Sequence, residues 1–201
     1  MLKKIAITGG IATGKSTLLS ILKELGFPCI SCDEIVKKLY QREDIQKKLI
    51  ELFGNEVLNK DRTINVKLIL EKILANSNLK RNLENLIHPE VLKEIFHFFA
   101  EIEKKGEKIC FVEVPLLFEV SWEKYFDEIW VITCSEDLQR ERIKRLKGSE
   151  LFLELSKCQI AIKEKEKRAH KVFSSEISIE ELKESLKTLL KEYLKEYSPH
   201  K

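Results

Sequence analysis

The sequence is poor in glycine and proline, and it has no long apolar run. Its 201 residues include only seven glycines and four prolines, a composition that excludes collagen-like and low-complexity proteins. The apolar runs all fall short of the roughly 20 residues that a membrane-spanning helix requires. The first residues, 1–8, contain too short an apolar stretch for a signal peptide. We therefore expect a cytoplasmic protein without membrane association.

The sequence also lacks an excess of charge of one sign. Its 36 Lys and Arg residues face 33 Asp and Glu residues, so the net charge is only +3 although 34% of the residues are charged. A protein dedicated to wrapping nucleic acid needs a large excess of Lys and Arg to displace counterions. We therefore expect no nucleic-acid partner, and no segment indicates an obligate protein partner.

The sequence contains five cysteines. This odd number fits reduced thiols better than a disulfide framework. Cys29 and Cys32 form a C-x-x-C pair, which is either a redox motif or, as the context favours, two small residues where a strand ends. A zinc site would need a second such pair or closely spaced histidines. The histidines are too scattered to supply one: His88, His97, His170 and His200.

Short β-rich runs alternate with amphipathic helical stretches, a pattern that predicts an α/β fold with a mainly parallel sheet. The five predicted strands are Lys3–Thr8, Phe27–Ser31, Lys108–Val114, Ile129–Thr133 and Val172–Phe173. The helical stretches among them are Ser16–Leu25, Ser135–Arg168 and Glu180–Tyr197.

Residues 34–105 contain no convincing strand and too many helices for a single crossover between two strands. The predicted helices are Glu34–Tyr40, Asp44–Phe53, Val66–Ala75, Leu79–Leu86 and Pro89–Lys105. We expect a break before Pro89, because proline suits the first turn of a helix and not its interior. Insertions of this size usually carry function. We therefore predict a core of residues 1–33 and 106–201 with an inserted helical subdomain at 34–105.

The segment after the first strand satisfies the pattern G-x-x-x-x-G-K-[ST]. Its glycines let successive backbone N–H groups point at phosphate oxygens, and the following helix directs its positive end at the same anion. Lys15 is expected to reach the β- and γ-phosphates, and the Ser16 hydroxyl to ligate Mg²⁺. The loop residues predicted to bind a nucleoside triphosphate are Gly9, Gly10, Ile11, Ala12, Thr13, Gly14, Lys15, Ser16 and Thr17.

Two acidic residues follow predicted strands. Glu113 ends the third strand, where a P-loop protein places its second acidic residue near Mg²⁺. Asp33 comes just after the second strand, at the edge where ligands gather in open α/β sheets. It is either a carboxylate beside the acceptor hydroxyl, which orients the hydroxyl or takes its proton, or the N-cap of the next helix. The residues leave both interpretations open, and one residue can serve both.

Several sequence segments, both in the phosphate loop and outside it, match the pattern of one known family. They are Ile7–Thr17, Asp33, Leu52-Phe53-Gly54, Leu86-Ile87-His88-Pro89, Val114-Pro115-Leu116-Leu117-Phe118-Glu119 and Gln139-x-x-Arg142. Because these segments occur in the family's order, the chain resembles the dephospho-coenzyme A kinase family along nearly its whole length. The phosphate loop is shared by many families, whereas the I-H-P and P-L-L-F-E segments are much more specific.

The resemblance implies ATP-dependent phosphorylation of the ribose 3′-hydroxyl of dephospho-coenzyme A, with Mg²⁺ as cofactor. It also implies a three-layer P-loop core with a five-stranded sheet, a helical acceptor-binding subdomain and a mobile lid at about residues 140–170. The catalytic residues it implies are Asp33 as the base, Lys15 and the lid residue Arg142, chosen over Arg140 and Arg145. Implied substrate contacts are Thr8, Asp33, His88, Pro115, Leu116 and Leu117, and implied metal ligands are Ser16 and Glu113.

The chain departs from the family pattern at a few positions. Ser31 and Glu113 stand where aspartates are usual, and Asn65-Val66 replaces the D-R of an I-D-R motif. His170 stands in place of the aspartate of an A-D motif.

Two other classes of protein share the phosphate loop: a nucleoside monophosphate kinase, which differs in its acceptor domain, and a P-loop switch or motor. The switch motif N-K-x-D is not satisfied by Asn59-Lys60-Asp61-Arg62.

Overall fold

The structure is a computed structural model that describes residues 2–196. Tyr197, the predicted end of the last helix, and His200 lie outside the described residues. The described chain forms two compact units, one of residues 2–30 with 98–196 and one of residues 31–97. No helix in residues 2–196 is long and apolar enough to cross a membrane.

The first unit is built on a five-stranded sheet with the order β2-β3-β1-β4-β5. Its strands are β1 (Lys3–Thr8), β2 (Cys29–Ser31), β3 (Ile109–Glu113), β4 (Glu128–Thr133) and β5 (Lys171–Ser174). β1 pairs in parallel with β3 and β4, and β4 pairs in parallel with β5. This topology confirms the predicted α/β fold, although β2 and β3 are each two residues shorter than predicted.

Nine α-helices accompany the sheet in the described part of the chain. They are α1 (Lys15–Glu24), α2 (Cys32–Leu39), α3 (Glu43–Phe53), α4 (Val66–Ala75), α5 (Ser77–Lys104), α6 (Glu136–Lys144), α7 (Ser149–Lys157), α8 (Ile162–Lys167) and α9 (Ile179–Glu196). Short 3-10 helices span Asn55–Val57 and Glu123–Tyr125. The single helical segment predicted for residues 135–168 is thus divided into α6, α7 and α8.

The core of the first unit lies where α1 and α9 cover one face of the sheet. Alternate residues of β1, β3 and β4 point to this face, as the period of a strand requires. Trp130 is its centre, with ring centroids 5.1 Å from both Phe111 and Phe173. The buried cluster comprises Ile5, Ile7, Ile109, Phe111, Trp130 and Ile132 from the strands, Leu18, Leu19, Ile21 and Leu22 from α1, and Leu182, Leu186, Leu190 and Tyr193 from α9.

The second unit is helical. Between residues 34 and 97 the only extended pairing is an isolated antiparallel bridge of Leu58 with Ile64. Arg42 ties two helices together here, since its guanidinium donates to Glu90 of α5 at 2.6 Å and to Asp44 of α3 at 2.7 Å. The absence of a strand in this stretch is as predicted from its sequence.

The expected helix break before Pro89 is wrong. α5 runs without interruption over 28 residues, with Pro89 inside it. Proline removes one backbone hydrogen bond and crowds the preceding turn, yet the apolar stripe of α5 continues through this point at helical spacing. Its members are Leu83, Ile87, Val91, Ile95, Phe99 and Ile102, all of them buried. Burial of the stripe on both sides of Pro89 therefore outweighs the local cost.

Candidate active site

The phosphate loop joins β1 to α1 at the centre of the sheet. Because β1 lies between β3 and β4, the loop leaves the carboxyl edge with a strand on either side. In the register of β1 with β3, Ile7 is paired with Glu113. The sheet itself therefore brings the end of β3 beside the start of the loop.

The path of the loop requires glycine at two positions. A Cβ atom on Gly9 would lie 2.4 Å from the carbonyl oxygen of Ile132 in the neighbouring strand β4, which cannot move aside. Gly14 has a φ of +104°, and its Cβ would lie 2.9 Å from that of Ser175. Ala12 also has a positive φ of 59°. These conformations curl the chain tightly just before the first turn of α1.

Lys15 folds back into this curl. Its side chain is only 8% exposed, and its ammonium donates to the carbonyl oxygen of Gly10 at 2.7 Å. The hydroxyl of Thr13 donates to the same carbonyl at 2.9 Å. The positive charge predicted for phosphate binding is thus held inside the loop.

Ser16 and Glu113 are brought together, as their predicted role as metal ligands needs. The Ser16 hydroxyl donates to Oε1 of Glu113 at 3.4 Å, and Glu113 is 3% exposed. Hydroxyl and carboxylate oxygens are the hard ligands that Mg²⁺ prefers. In residues 2–196 there is no cluster of three or more His, Cys, Asp or Glu side chains that could hold a metal ion.

A cavity of about 540 Å³ opens beside the loop, within the size range of small-molecule sites. One side of it is formed by the loop and the first turn of α1. The other side is largely apolar and includes Ile177 and Ile179, which are 44% and 56% exposed. The lining residues are Ala12, Gly14, Lys15, Ser16, Thr17, Ile132, Arg142, Ser175, Ile177, Ser178, Ile179 and Leu182.

Arg142 reaches this cavity from α6. Its guanidinium donates to the hydroxyl of Ser175 at 2.7 Å, to the Ser175 carbonyl at 2.9 Å and to the Ala12 carbonyl at 3.4 Å. Arg140 and Arg145, on the same helix, instead pair with glutamates one turn away, Glu136 and Glu141. Of the three candidate arginines, Arg142 is the one beside the phosphate loop.

Two glutamines hold the outer part of the loop, and neither was assigned a role from the sequence. Gln139 of α6 donates to the carbonyl of Ile11 at 2.8 Å. Gln159, between α7 and α8, accepts the N–H of Ile11 at 3.2 Å. Gln139 belongs to the Q-x-x-R segment of the resemblance, whereas nothing in the sequence around Gln159 distinguishes it from a surface glutamine.

Thr8 and the Pro115–Leu117 segment, predicted to contact substrate, are linked to each other. Thr8 is completely buried, and its hydroxyl donates to the carbonyl of Pro115 at 3.3 Å. Leu117 is buried as well, while Pro115 and Leu116 are partly exposed. Pro115 and Leu116 therefore offer side-chain surface to a ligand, and Thr8 holds the segment against the end of β1.

Asp33 and His88 lie in the helical unit of residues 31–97. The N-cap of α2 is Ser31, whose hydroxyl oxygen accepts the N–H of Asp33 at 3.2 Å. The alternative in which Asp33 caps this helix is therefore wrong, and Asp33 stands in the first turn with an exposed side chain.

Burial lowers the pKa of His88, with Glu84 opposing the shift and Lys80 adding to it.

His170, the departure from the A-D pattern, has a visible structural role. Its backbone N–H donates to the carbonyl of Ile129 at 2.8 Å, and its imidazole Nδ1 accepts the N–H of Ile129 at 3.1 Å. A carboxylate could accept the same N–H. The substitution at this position therefore keeps a hydrogen-bond acceptor at the start of β4.

The model of the family described as Dephospho-CoA kinase matches residues 3–181 of the chain. The chain belongs to the dephospho-CoA kinase family. The dephospho-CoA kinase of Fusobacterium nucleatum is 35% identical over 181 residues, which cover 89% of this chain and 92% of the relative. The dephospho-CoA kinase of Dehalococcoides mccartyi is 33% identical over 184 residues, which cover 90% and 93%. The resemblance drawn from the motifs is thus confirmed.

Solved structures share the fold of this chain. The crystal structure of TT1252 from Thermus thermophilus superposes with a TM-score of 0.80 at 28% identity, covering 95% of this chain and 97% of that one. The dephospho-CoA kinase from Campylobacter jejuni gives 0.71 at 28% identity, covering 98% and 100%. A shikimate kinase from Bacteroides thetaiotaomicron, with 0.51 at 15% identity and 95% and 99% covered, shares the fold. The predicted P-loop kinase fold is confirmed.

Proposed function

We propose that this protein transfers the γ-phosphoryl group of ATP to the 3′-hydroxyl of dephospho-coenzyme A, giving coenzyme A and ADP in the cytoplasm. The family match over residues 3–181 carries this proposal. In the reaction the hydroxyl oxygen bonds to the γ-phosphorus, the bond to the β–γ bridging oxygen breaks, and the hydroxyl proton goes to a base.

The triphosphate of ATP is bound by the loop Gly9–Thr17. The curled backbone and the start of α1 direct N–H groups and a positive helix end at the same place. Lys15 already lies in the curl, with the neutral carbonyl of Gly10 as its acceptor. A phosphate oxygen is a stronger acceptor for an ammonium than a carbonyl is, so we expect Lys15 to turn to the bound nucleotide.

The nucleoside of ATP occupies the apolar side of the cavity. Ile177 and Ile179 expose apolar surface there, which suits the flat faces of a base. Arg142 lies between this surface and the loop, fixed by Ser175 and Ala12. From this position its charge compensates the negative charge that phosphoryl transfer develops.

Ser16 and Glu113 would hold Mg²⁺. The pair supplies few protein ligands, which matches the preference of Mg²⁺ for keeping several waters and substrate phosphate oxygens. Held there, Mg²⁺ would supply positive charge that offsets the negative charge of the phosphates during transfer. The burial of Glu113 beside the Ser16 hydroxyl supports this assignment.

Asp33 acts as the base that receives the proton of the 3′-hydroxyl. Its carboxylate is exposed in the first turn of α2 and is not used as the helix cap, so it is available for an acceptor. We assign acceptor binding to the helices of residues 34–105 and to Thr8, His88, Pro115, Leu116 and Leu117. Residues 140–170 form the lid.

The deciding experiment measures ADP release by the purified protein with Mg²⁺ and ATP over a panel of acceptors. Dephospho-coenzyme A is expected to give a far higher kcat/KM than AMP, CMP or adenosine. Lys15→Ala is expected to lose both ATP affinity and rate, and it serves as the control for contaminating kinases. A preference for AMP would instead support a nucleoside monophosphate kinase.

A further inference from the structure

The ammonium of Lys165 is completely buried, which is unusual for lysine. Lys165 lies on α8, has no exposed surface and is 2.8 Å from Oε1 of Glu119. It also donates to the carbonyl oxygen of Pro115 at 3.2 Å. Removing two charges from water costs free energy that their attraction repays only in part. A buried ion pair often contributes no more stability than apolar side chains of similar volume, so stability alone does not account for this pair.

The partners of Lys165 are themselves connected. The same oxygen of Glu119 accepts the N–H of Ile160 at 3.0 Å, while Oε2 of Glu119 is buried with no hydrogen-bond partner in the described part of the chain. The carbonyl of Pro115 also accepts the hydroxyl of Thr8. The Pro115–Glu119 segment is thus held at its first residue and at its last, and both contacts involve Lys165.

The segment that carries Lys165 also reaches the phosphate loop. Gln159 accepts the N–H of Ile11, and the next residue, Ile160, donates to Glu119. Residues 159–165 therefore link the loop that binds phosphate to the segment Pro115–Glu119. Just after α8, Arg168 pairs with Glu123 at 2.5 Å. Movement of one of these parts is restricted by the other.

We propose that Lys165 is a positioning residue for phosphoryl transfer. Through Glu119 and the Pro115 carbonyl it fixes the Pro115–Glu119 segment relative to the phosphate loop, and with it the acceptor hydroxyl relative to the γ-phosphorus. This inference rests on the proposed function, which assigns acceptor binding to Pro115 and Leu116. It explains why a buried ion pair with one unpaired carboxylate oxygen is retained in this segment.

The test compares Lys165→Met with the double variant Lys165→Met/Glu119→Gln, and uses Lys163→Met as the matched control on the exposed side of α8. Lys165→Met is expected to lower kcat/KM for dephospho-coenzyme A by about 100-fold, the loss that a misplacement of about 1 Å produces. The dissociation constant of ATP, measured by titration calorimetry without acceptor, is expected to stay at the wild-type value. Lys163→Met should change neither quantity.

The double variant separates positioning from simple stabilisation. Neutralising both partners leaves no unpaired buried charge, so the thermal unfolding midpoint should return toward that of the wild type. We expect kcat/KM to stay low, because Met no longer holds the Pro115 carbonyl. Recovery of kcat/KM together with the midpoint, or a single variant as active as Lys163→Met, would overturn the proposal. If the wild type prefers another acceptor, the proposed function fails instead, and the variants are compared on that acceptor.

Discussion

Glu113 ends β3 directly opposite Ile7 of β1, and its carboxylate accepts a hydrogen bond from Ser16 in the first turn of α1. The end of β3 meets the β1–α1 junction, which is distant from it in sequence, because parallel strands end at the same edge of the sheet. The usual aspartate would be shorter by one methylene group. In this protein the longer glutamate side chain accepts the hydrogen bond of the Ser16 hydroxyl.

Glu113→Gln is expected to weaken the use of Mg²⁺. The amide keeps the shape of the side chain but removes the negative charge beside Ser16, so the Mg²⁺ concentration for half-maximal rate should rise by roughly 10-fold or more. The measurement is a Mg²⁺ titration at saturating ATP. Glu107→Gln, an exposed site just before β3, is the control, and an equal rise in that variant would contradict the assignment.

Asp33→Asn is expected to lower kcat by about 10²- to 10⁴-fold, the usual contribution of a general base. ATP binding should remain normal, because the interaction is made with the acceptor hydroxyl in the transition state. Steady-state kinetics with calorimetric ATP binding tests this. Glu51→Gln, an exposed residue of α3 in the same unit, controls for a general loss of charge. Normal turnover by Asp33→Asn would remove this residue from the mechanism.

Gly9→Ala is expected to abolish ATP binding and to reduce the free energy of unfolding. The added Cβ would meet a backbone carbonyl of β4 at 2.4 Å, so either the loop or the pairing of β1 with β4 must distort. Gly106→Ala is the matched control, since Gly106 has a positive φ but no atom within 4 Å of its Cβ position. Its cost should be only the conformational term of about 1–2 kcal/mol. Urea unfolding and calorimetry distinguish the two.

Glu128→Gln is expected to reduce stability at neutral pH but not in acid. Burial raises the pKa of Glu128, but hydrogen bonds from Lys3, Tyr193 and Trp130 outweigh it, and the net pKa lies below the ordinary value. The charged form therefore stabilises the fold above the unfolded pKa of about 4.3, and this contribution is lost as the pH falls through the lower folded pKa.

Urea unfolding of wild type and Glu128→Gln as a function of pH measures this contribution. The difference in unfolding free energy should be largest near neutrality and should vanish once Glu128 is protonated in both states. Glu103→Gln, at an exposed position of α5, should show no such trend. A constant difference at every pH would mean that the shape of the side chain matters and its charge does not.

The parts of the fold that depend on neighbouring residues were predictable. The helix Val66–Ala75 was predicted with both ends correct. In the structure Asn65 caps it, since its side chain accepts the N–H of Leu68 at 3.0 Å. The strand Lys3–Thr8 was likewise predicted with both ends correct, since contiguous apolar residues indicate a strand covered on both faces. The phosphate loop was predicted from the spacing of its glycines, Lys15 and Ser16.

Other features depend on contacts with residues distant in sequence. Pro89 was interpreted as a helix start, and only the burial of the apolar stripe on both sides of it keeps α5 continuous. Lys165 stands in a run of charged residues, a pattern typical of a solvated helix face, yet it is buried against Glu119. Gln159 resembles any surface glutamine until the fold sets it against Ile11.

The amino-acid sequence by itself determined the family, the α/β class and the loop that binds phosphate, because each of these follows from residue types at short, fixed spacings. The tertiary structure alone decided that Ser31 rather than Asp33 caps α2, that Gln159 contacts the phosphate loop, and that a lysine is buried between two segments. Those outcomes depend on which residues, distant in sequence, come into contact in the fold. Hydrogen bonding and burial depend on proximity in space and not on separation along the chain.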